Sequence, residues 1–164
     1  MIQLQPMQES EFAGYKAQTV RQYAAQLEIE GVDPEKARAN ALETIDKLLP
    51  LKHETPAQHL FTIKSGEENV SVGYLWLGTD PAAGAHSAYI YEIFVRPEFR
   101  GQGVGTAALR EAERWAIQSG KTKLALNVFW HNEGARRLYA RLGFIETRVR
   151  MAKSVDTVDR PVHS

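Results

Sequence analysis

The sequence predicts one α/β domain built on a mixed β-sheet flanked by helices, and three observations lead there. Helical periodicity fills most of the first fifty residues. Three short apolar runs separated by turn residues come next, and their short connections imply an antiparallel meander. A long amphipathic stretch then separates the third run from a further strand, and a crossover helix of that kind makes the two strands parallel.

Each element has a local reason. Ile2 and Leu4 alternate with Gln3 and Gln5 until Pro6 stops the run, giving a short first strand. Across residues 9–30, Phe12, Tyr15, Val20, Tyr23, Ala24 and Leu27 fall at helical spacing, and Gly31 ends the helix. Asp33-Pro34 starts the next one, an acid that can accept from free N–H groups followed by a residue whose fixed φ suits the first turn. Ala37, Ala41, Ile45 and Leu48 mark its buried face, and Pro50 closes it. Residues 59–64 and 70–77 pair as a hairpin, and a loop over 78–85 leads into a strand at 89–95. The helix after Gly105 buries Leu109, Ala112 and Ala116 beside Trp115, with Trp76 a second core tryptophan, and Gly120 falls just past the helix end. A strand at 124–128 follows. Asn132 caps a last helix with a stripe of Ala135, Leu138 and Leu142, Gly143 stops it, and residues 144–153 alternate as a final strand.

With 164 residues, the chain is long enough for one real core and short for two, so residues 1–153 are expected as the domain and 154–164 as a polar tail. Twenty basic residues balance twenty acidic ones, which gives no electrostatic reason to expect nucleic acid or an anionic membrane as partner. The absence of cysteine excludes a disulfide framework, a thiolate zinc site and a cysteine nucleophile. No basic leader and no apolar run of membrane-spanning length occurs, so a cytoplasmic protein is expected. The five histidines show no metal-ligand spacing, and no metal is implied.

Chemistry concentrates in residues 92–106, EIFVRPEFRGQGVGT. Glycines at 101, 103 and 105 lead directly into a helix, whose N-terminus offers unpaired N–H groups and the positive end of its dipole to an anion, above all a phosphate. A Walker loop is excluded because Gly105 is followed by Thr-Ala-Ala rather than Lys and a hydroxyl residue. A dinucleotide fingerprint fits poorly, because seven residues separate the strand from Gly103 and the next strand ends without an acid. What remains is Arg100-x-x-Gly103-x-Gly105, which resembles the acyl-CoA motif of the Gcn5-related N-acetyltransferases, as does the prefix Val95-x-Pro97-x-x-Arg100-Gly101. Asn132-x-x-Ala135-x-x-Leu138-Tyr139-x-x-Leu142-Gly143-Phe144 resembles that family's helix beside the thioester. The two motifs together span residues 89–144, while the first eighty residues match the family only in order of elements, two helices between the first and second strands.

The resemblance implies the GNAT fold, acetyl-CoA as cosubstrate, an amine acceptor that is a small molecule or a peptide, and direct attack on the thioester without an acyl-enzyme. Dimers are common in the family, so a homodimer is one assembly it allows. By the same resemblance the cofactor would be bound by Phe94, Val95, Arg100, Gly101, Gln102, Gly103, Val104, Gly105, Thr106 and Asn132, with Arg100 either on a phosphate or positioning the loop. Tyr139 would stand by the CoA sulfur, or else be a packing residue of its helix. An amine with pKa near 10 is neutral in only about one molecule in a few thousand at pH 7, so a base or a held water is required. Glu92 is the carboxylate within the central strand, and strict alternation puts it on one face with Ile90 and Phe94, opposite Tyr91, Ile93 and Val95. It is read as that base or water-holder, or as a partly solvated sheet residue or ion-pair partner. Arg136 is expected in solvent, with CoA as its alternative, and Trp130 is expected to have no role in the site, with the acceptor pocket as its alternative. An acyl-CoA sensor without turnover is the competing class, and a ligand-free structural protein, which leaves the glycine cluster unexplained, ranks behind it.

Overall fold

The computed structural model describes residues 1–66, 68–153 and 155. Its elements run β1 (Ile2–Pro6), α1 (Glu9–Ile29), α2 (Pro34–Leu48), β2 (Gln58–Ser65), β3 (Val70–Asp80), β4 (Gly84–Val95), α3 (Val104–Gln118), β5 (Lys123–Leu126) and α4 (Glu133–Arg141), with single 3-10 turns at Lys52–Glu54 and Pro97–Phe99. The chain forms two compact units, Met1–Val128 and Phe129–Ser164.

In the first unit five strands lie in chain order, β1 to β4 antiparallel and β5 parallel to β4, which is the expected mixed sheet. Leu60 and Trp76 meet Phe12, Tyr15, Ala24, Ala37, Ala41 and Ile45 of α1 and α2 in one buried cluster. On α3, Val104, Ala108, Leu109, Ala112 and Ala116 are buried as a stripe, while Trp115 at its edge is half-buried against the rings of His59 and Phe61. Burying such side chains contributes roughly 1.5–3 kcal/mol each for the larger aliphatic and aromatic ones.

The predicted helix ends hold closely. Asp33 Oδ1 accepts from the N–H groups of Glu35 and Lys36, at 3.1 and 3.3 Å, with Pro34 in the first turn. Gly31, Gly120 and Gly143 all take positive φ just beyond α1, α3 and α4. Glycine in a helix interior costs roughly 1 kcal/mol relative to alanine, and Gly14 sits inside α1, in its second turn, without a positive φ.

Three expectations need correction. The loop expected over 78–85 shrinks to residues 81–83, because buried Asp80 accepts from the N–H groups of Ala82 and Ala83 and from the Ser87 hydroxyl and so closes a tight hairpin. No strand forms at 144–153; alternation alone makes no strand without a partner backbone, and Ile145, Val149 and Met151 are exposed. Perfect alternation also fails in β4: Leu77 pairs with Ile90 but Trp76 pairs with Glu92, so Tyr91 is an extra residue in a β-bulge. Of the expected tail, only Val155 lies within the described residues.

Candidate active site

The bulge decides where Glu92 points. Paired residues share a sheet face, so Glu92 lies with Trp76 and Ile90 with Leu77, on opposite faces. Tyr91 turns to the same side as Glu92, its ring stacked on Trp76 at 4.5 Å between centroids, and Phe94 follows there against Tyr74. The carboxylate thus faces α1, where Thr19 Oγ1 donates to Glu92 Oε2 at 2.5 Å. Burial pushes the Glu92 carboxyl above the usual range, and the hydroxyls of Thr19 and Tyr15 pull it partly back. The Tyr15 hydroxyl is buried without a hydrogen bond of good geometry, and its own pKa is driven well up by burial first and by the Glu92 charge second. Glu92 is accordingly a half-buried carboxylate among hydroxyls and rings, and among the described residues it forms no ion pair.

From Glu92 to Val95 β4 pairs with β3 alone, because its pairing with β5 ends at Ile90 and Leu126. The backbone groups on that side of the strand end are therefore open to a ligand that can pair like a strand. Immediately beyond, Arg100 Nε donates to the Val95 carbonyl at 2.9 Å, and its guanidinium lies over the Phe94 ring at 5.7 Å. Arg100 thus fastens the glycine loop to the strand, and Gln102 Nε2 donates to the Glu98 carbonyl at 2.9 Å within the same loop.

Gly101 and Gly103 have φ of 74° and 80°, a region closed to most side chains, whereas Gly105 is helical. Gly103 is the N-cap of α3, and neither a side-chain cap nor a first-turn acid is present there. By contrast, Glu11, Asp33 and Asn132 accept from N–H groups at the starts of α1, α2 and α4. An uncapped helix start behind two left-handed glycines is chemically suited to a phosphate group.

The second unit carries the other predicted residues. Asn132 Oδ1 accepts from Ala135 N at 3.2 Å and so caps α4 as expected. Ala135, Leu138, Tyr139 and Leu142 form the half-buried face of that helix, and the Tyr139 ring meets Phe144 edge-on at 5.6 Å between centroids. Burial raises the Tyr139 phenol pKa. Arg136 bonds the Trp130 carbonyl and pairs with Glu146 at 2.7 Å, and the Trp130 side chain is exposed. Glu92 and Tyr139 belong to different units. Among the described residues no group of three His, Cys, Asp or Glu is set to hold a metal, and no helix is long and apolar enough to cross a membrane.

The model of the acetyltransferase (GNAT) family matches residues 21–144. The chain belongs to that family. It is 37% identical over 155 residues to the uncharacterized N-acetyltransferase YycN of Bacillus subtilis (strain 168), covering 94% of this chain and 99% of that one. A crystal structure of YycN superimposes with a TM-score of 0.87 at 36% identity, again over 94% and 99% of the two chains. AAC(6')-Iy, solved in complex with the bisubstrate analog CoA-S-monomethyl-acetylneamine, shares the fold at a TM-score of 0.60 and 18% identity, over 94% and 99% of the two chains. This acetyltransferase therefore has the expected GNAT fold and enzyme class.

Two features of the candidate site escaped the sequence reading. Thr19 belongs to the stripe Phe12, Tyr15, Thr19, Tyr23, and a hydroxyl at a buried stripe position was the available signal. The bulge at Tyr91 left no trace in the pattern.

Proposed function

We propose that this acetyltransferase moves an acetyl group from acetyl-CoA to a primary amine by direct attack. The observation that carries the reading is the order along one strand: Glu92 on the α1 face, an open edge to Val95, then the uncapped glycine start of α3. Acetyl-CoA supplies the acyl group already activated as a thioester.

The N–H groups of residues 101–106 take its pyrophosphate, and the open edge of β4 at Phe94 and Val95 pairs with its amide-bearing arm. Arg100 keeps that loop on the strand end, with its terminal nitrogens available to a phosphate. Glu92 receives the proton of the attacking amine, directly or through one water, and Thr19 orients its carboxylate. A raised pKa brings Glu92 closer to that of the proton donor, which suits a base working near neutrality. Tyr139 hydrogen-bonds the departing thiolate, and Asn132 holds the start of the helix that carries it. An amine acceptor agrees with an enzyme over a shorter match, the thialysine N-epsilon-acetyltransferase of Bos taurus, 38% identical over 55 residues, about a third of each chain.

Calorimetry with CoA, followed by thiol release from acetyl-CoA over a panel of amines, tests the reading. Binding together with amine-dependent release is expected; CoA binding with no release on any amine would leave only a sensor.

A further inference from the structure

A groove of about 290 Å³ opens on the α1 side of the sheet, just past Glu92 along β4. Gly14, Arg21, Tyr74, Phe94, Arg96 and Glu98 line it. Its two guanidiniums rest on neutral partners: Arg21 Nη2 donates to Gln18 Oε1 at 2.7 Å, and Arg96 Nη2 to Ser71 Oγ at 3.3 Å. Neither forms an ion pair among the described residues, and Glu98 is the one acid on the lining.

Gly14 supplies an independent indication. A Cβ built there meets nothing within 4 Å, and the residue is helical, so neither packing nor backbone conformation demands glycine in the second turn of α1. What the missing side chain does is leave the groove wall open. Tyr74 and Phe94, stacked with an interplanar angle of 18°, offer an apolar wall opposite the charges.

We propose that this groove is the acceptor subsite of the enzyme, and that it selects amines bearing a carboxylate, held by Arg21 and Arg96, over polyamines and other wholly cationic acceptors. The inference rests on the acetyl transfer proposed above. Arg96 follows Glu92 by four residues on the same face, about 13 Å along the strand, so an acceptor with its amine and carboxylate at the two ends of a chain, the length of lysine or a dipeptide, is needed to reach from base to guanidinium. In the transfer itself the amine nitrogen bonds to the acetyl carbon, the C–S bond breaks with its electron pair leaving on sulfur, and the nitrogen's proton passes to Glu92. The carboxylate takes no part beyond anchoring. Guanidinium forks suit that planar anion and repel a second ammonium.

The test uses the full chain with acceptors matched to their decarboxylated counterparts: lysine with cadaverine, ornithine with putrescine, β-alanine with ethylamine. In at least one pair kcat/KM for the acid should exceed that for the plain amine by about tenfold or more. Arg21→Ala and Arg96→Ala should each erase most of that preference through KM, with CoA affinity by calorimetry unchanged. Gly14→Leu should raise acceptor KM by about tenfold while helicity and Tm hold or rise. Equal or faster turnover of the plain amine in every pair, or arginine variants that weaken CoA binding instead, would overturn the proposal. Should no amine be acetylated although CoA binds, the transfer reading fails by itself, and calorimetry decides the groove. Nε-acetyl-lysine binding that depends on Arg21 and exceeds N-acetylcadaverine binding supports it, and equal or absent binding of the two overturns it.

Discussion

Thr19 Oγ1 donates to Glu92 Oε2 across 2.5 Å, tying the middle of α1 to the bulged segment of β4. The bond joins two elements that are distant in sequence, and it exists only because the bulge turns Glu92 away from Ile90 and toward α1. Burial raises the carboxyl pKa and the Thr19 hydroxyl opposes the rise, so helix and strand together set the charge state of the proposed base.

Glu92→Gln should leave CoA affinity unchanged and lower turnover by about 10² to 10⁴-fold near neutral pH, the range for losing a general base. The deficit should shrink as pH approaches the amine's own pKa, where neutral amine becomes plentiful. Thr19→Val removes a bond that lowers the Glu92 pKa, so the acid limb of its kcat/KM profile should move to higher pH. pH–rate profiles of both variants decide this; a Gln profile that merely parallels the parent's would remove Glu92 from the base role.

The same carboxyl predicts a stability effect of opposite sign. With its folded pKa raised above the unfolded one, Glu92 favours the native state while protonated and loses that contribution as pH climbs from about 4.5 through the folded value. Glu92→Gln mimics the protonated side chain. It should therefore raise Tm at pH 7–8, on the order of 2 °C, and show little difference from the parent at pH 4. Thermal melts across that range measure it, and a variant less stable at pH 8 would contradict a desolvated carboxylate.

Much of the first unit was legible because its signals are local. Asp33-Pro34, Gly31 and Gly120 act within one turn of themselves, and each acts as read. The Gly103 loop was legible for the same reason, being a sequence whose backbone demands glycine. The face of Glu92 was not. Residues 89–95 form an apolar run interrupted only by Glu92, so its face rests on an assumed period of two, and the extra residue at Tyr91 is visible only against its partner strand. Gly14 was silent too, since a lone glycine inside a helical pattern is tolerated and its value depends on what lies above it. In residues 144–153 the alternation was present and the ladder was not, because pairing is a property of two strands.

The glycines before α3 should separate by conformation. Gly103 has a positive φ and no neighbour within 4 Å of an added Cβ, so Gly103→Val strains the backbone and places bulk where the ligand approaches. Gly105 is helical, and Gly105→Ala adds a single methyl in the first turn. Calorimetry should find CoA affinity reduced about 10²-fold or more by Gly103→Val and less by Gly105→Ala, with both proteins folded. Undiminished affinity in the Gly103 variant would remove the phosphate site from this loop.

Tyr139 tests the other end of the reaction. Its ring packs edge-on against Phe144, and burial holds the phenol above its usual pKa of 10.0. A thiol near 8.5 opposite such a phenol makes full proton transfer to the thiolate uphill by about 2 kcal/mol or more. The hydroxyl is therefore suited to donating a hydrogen bond to the leaving sulfur while keeping its proton, and it stays a donor through the pH range in which the amine reacts. Tyr139→Phe preserves the ring contact and deletes only that donor, so kcat should fall by about 10 to 10³-fold with CoA affinity and Tm little changed. The loss should be smallest for an acyl donor whose leaving thiol is more acidic than CoA, since a better leaving group needs less help. Parental turnover in the Phe variant would reduce Tyr139 to a packing residue of α4.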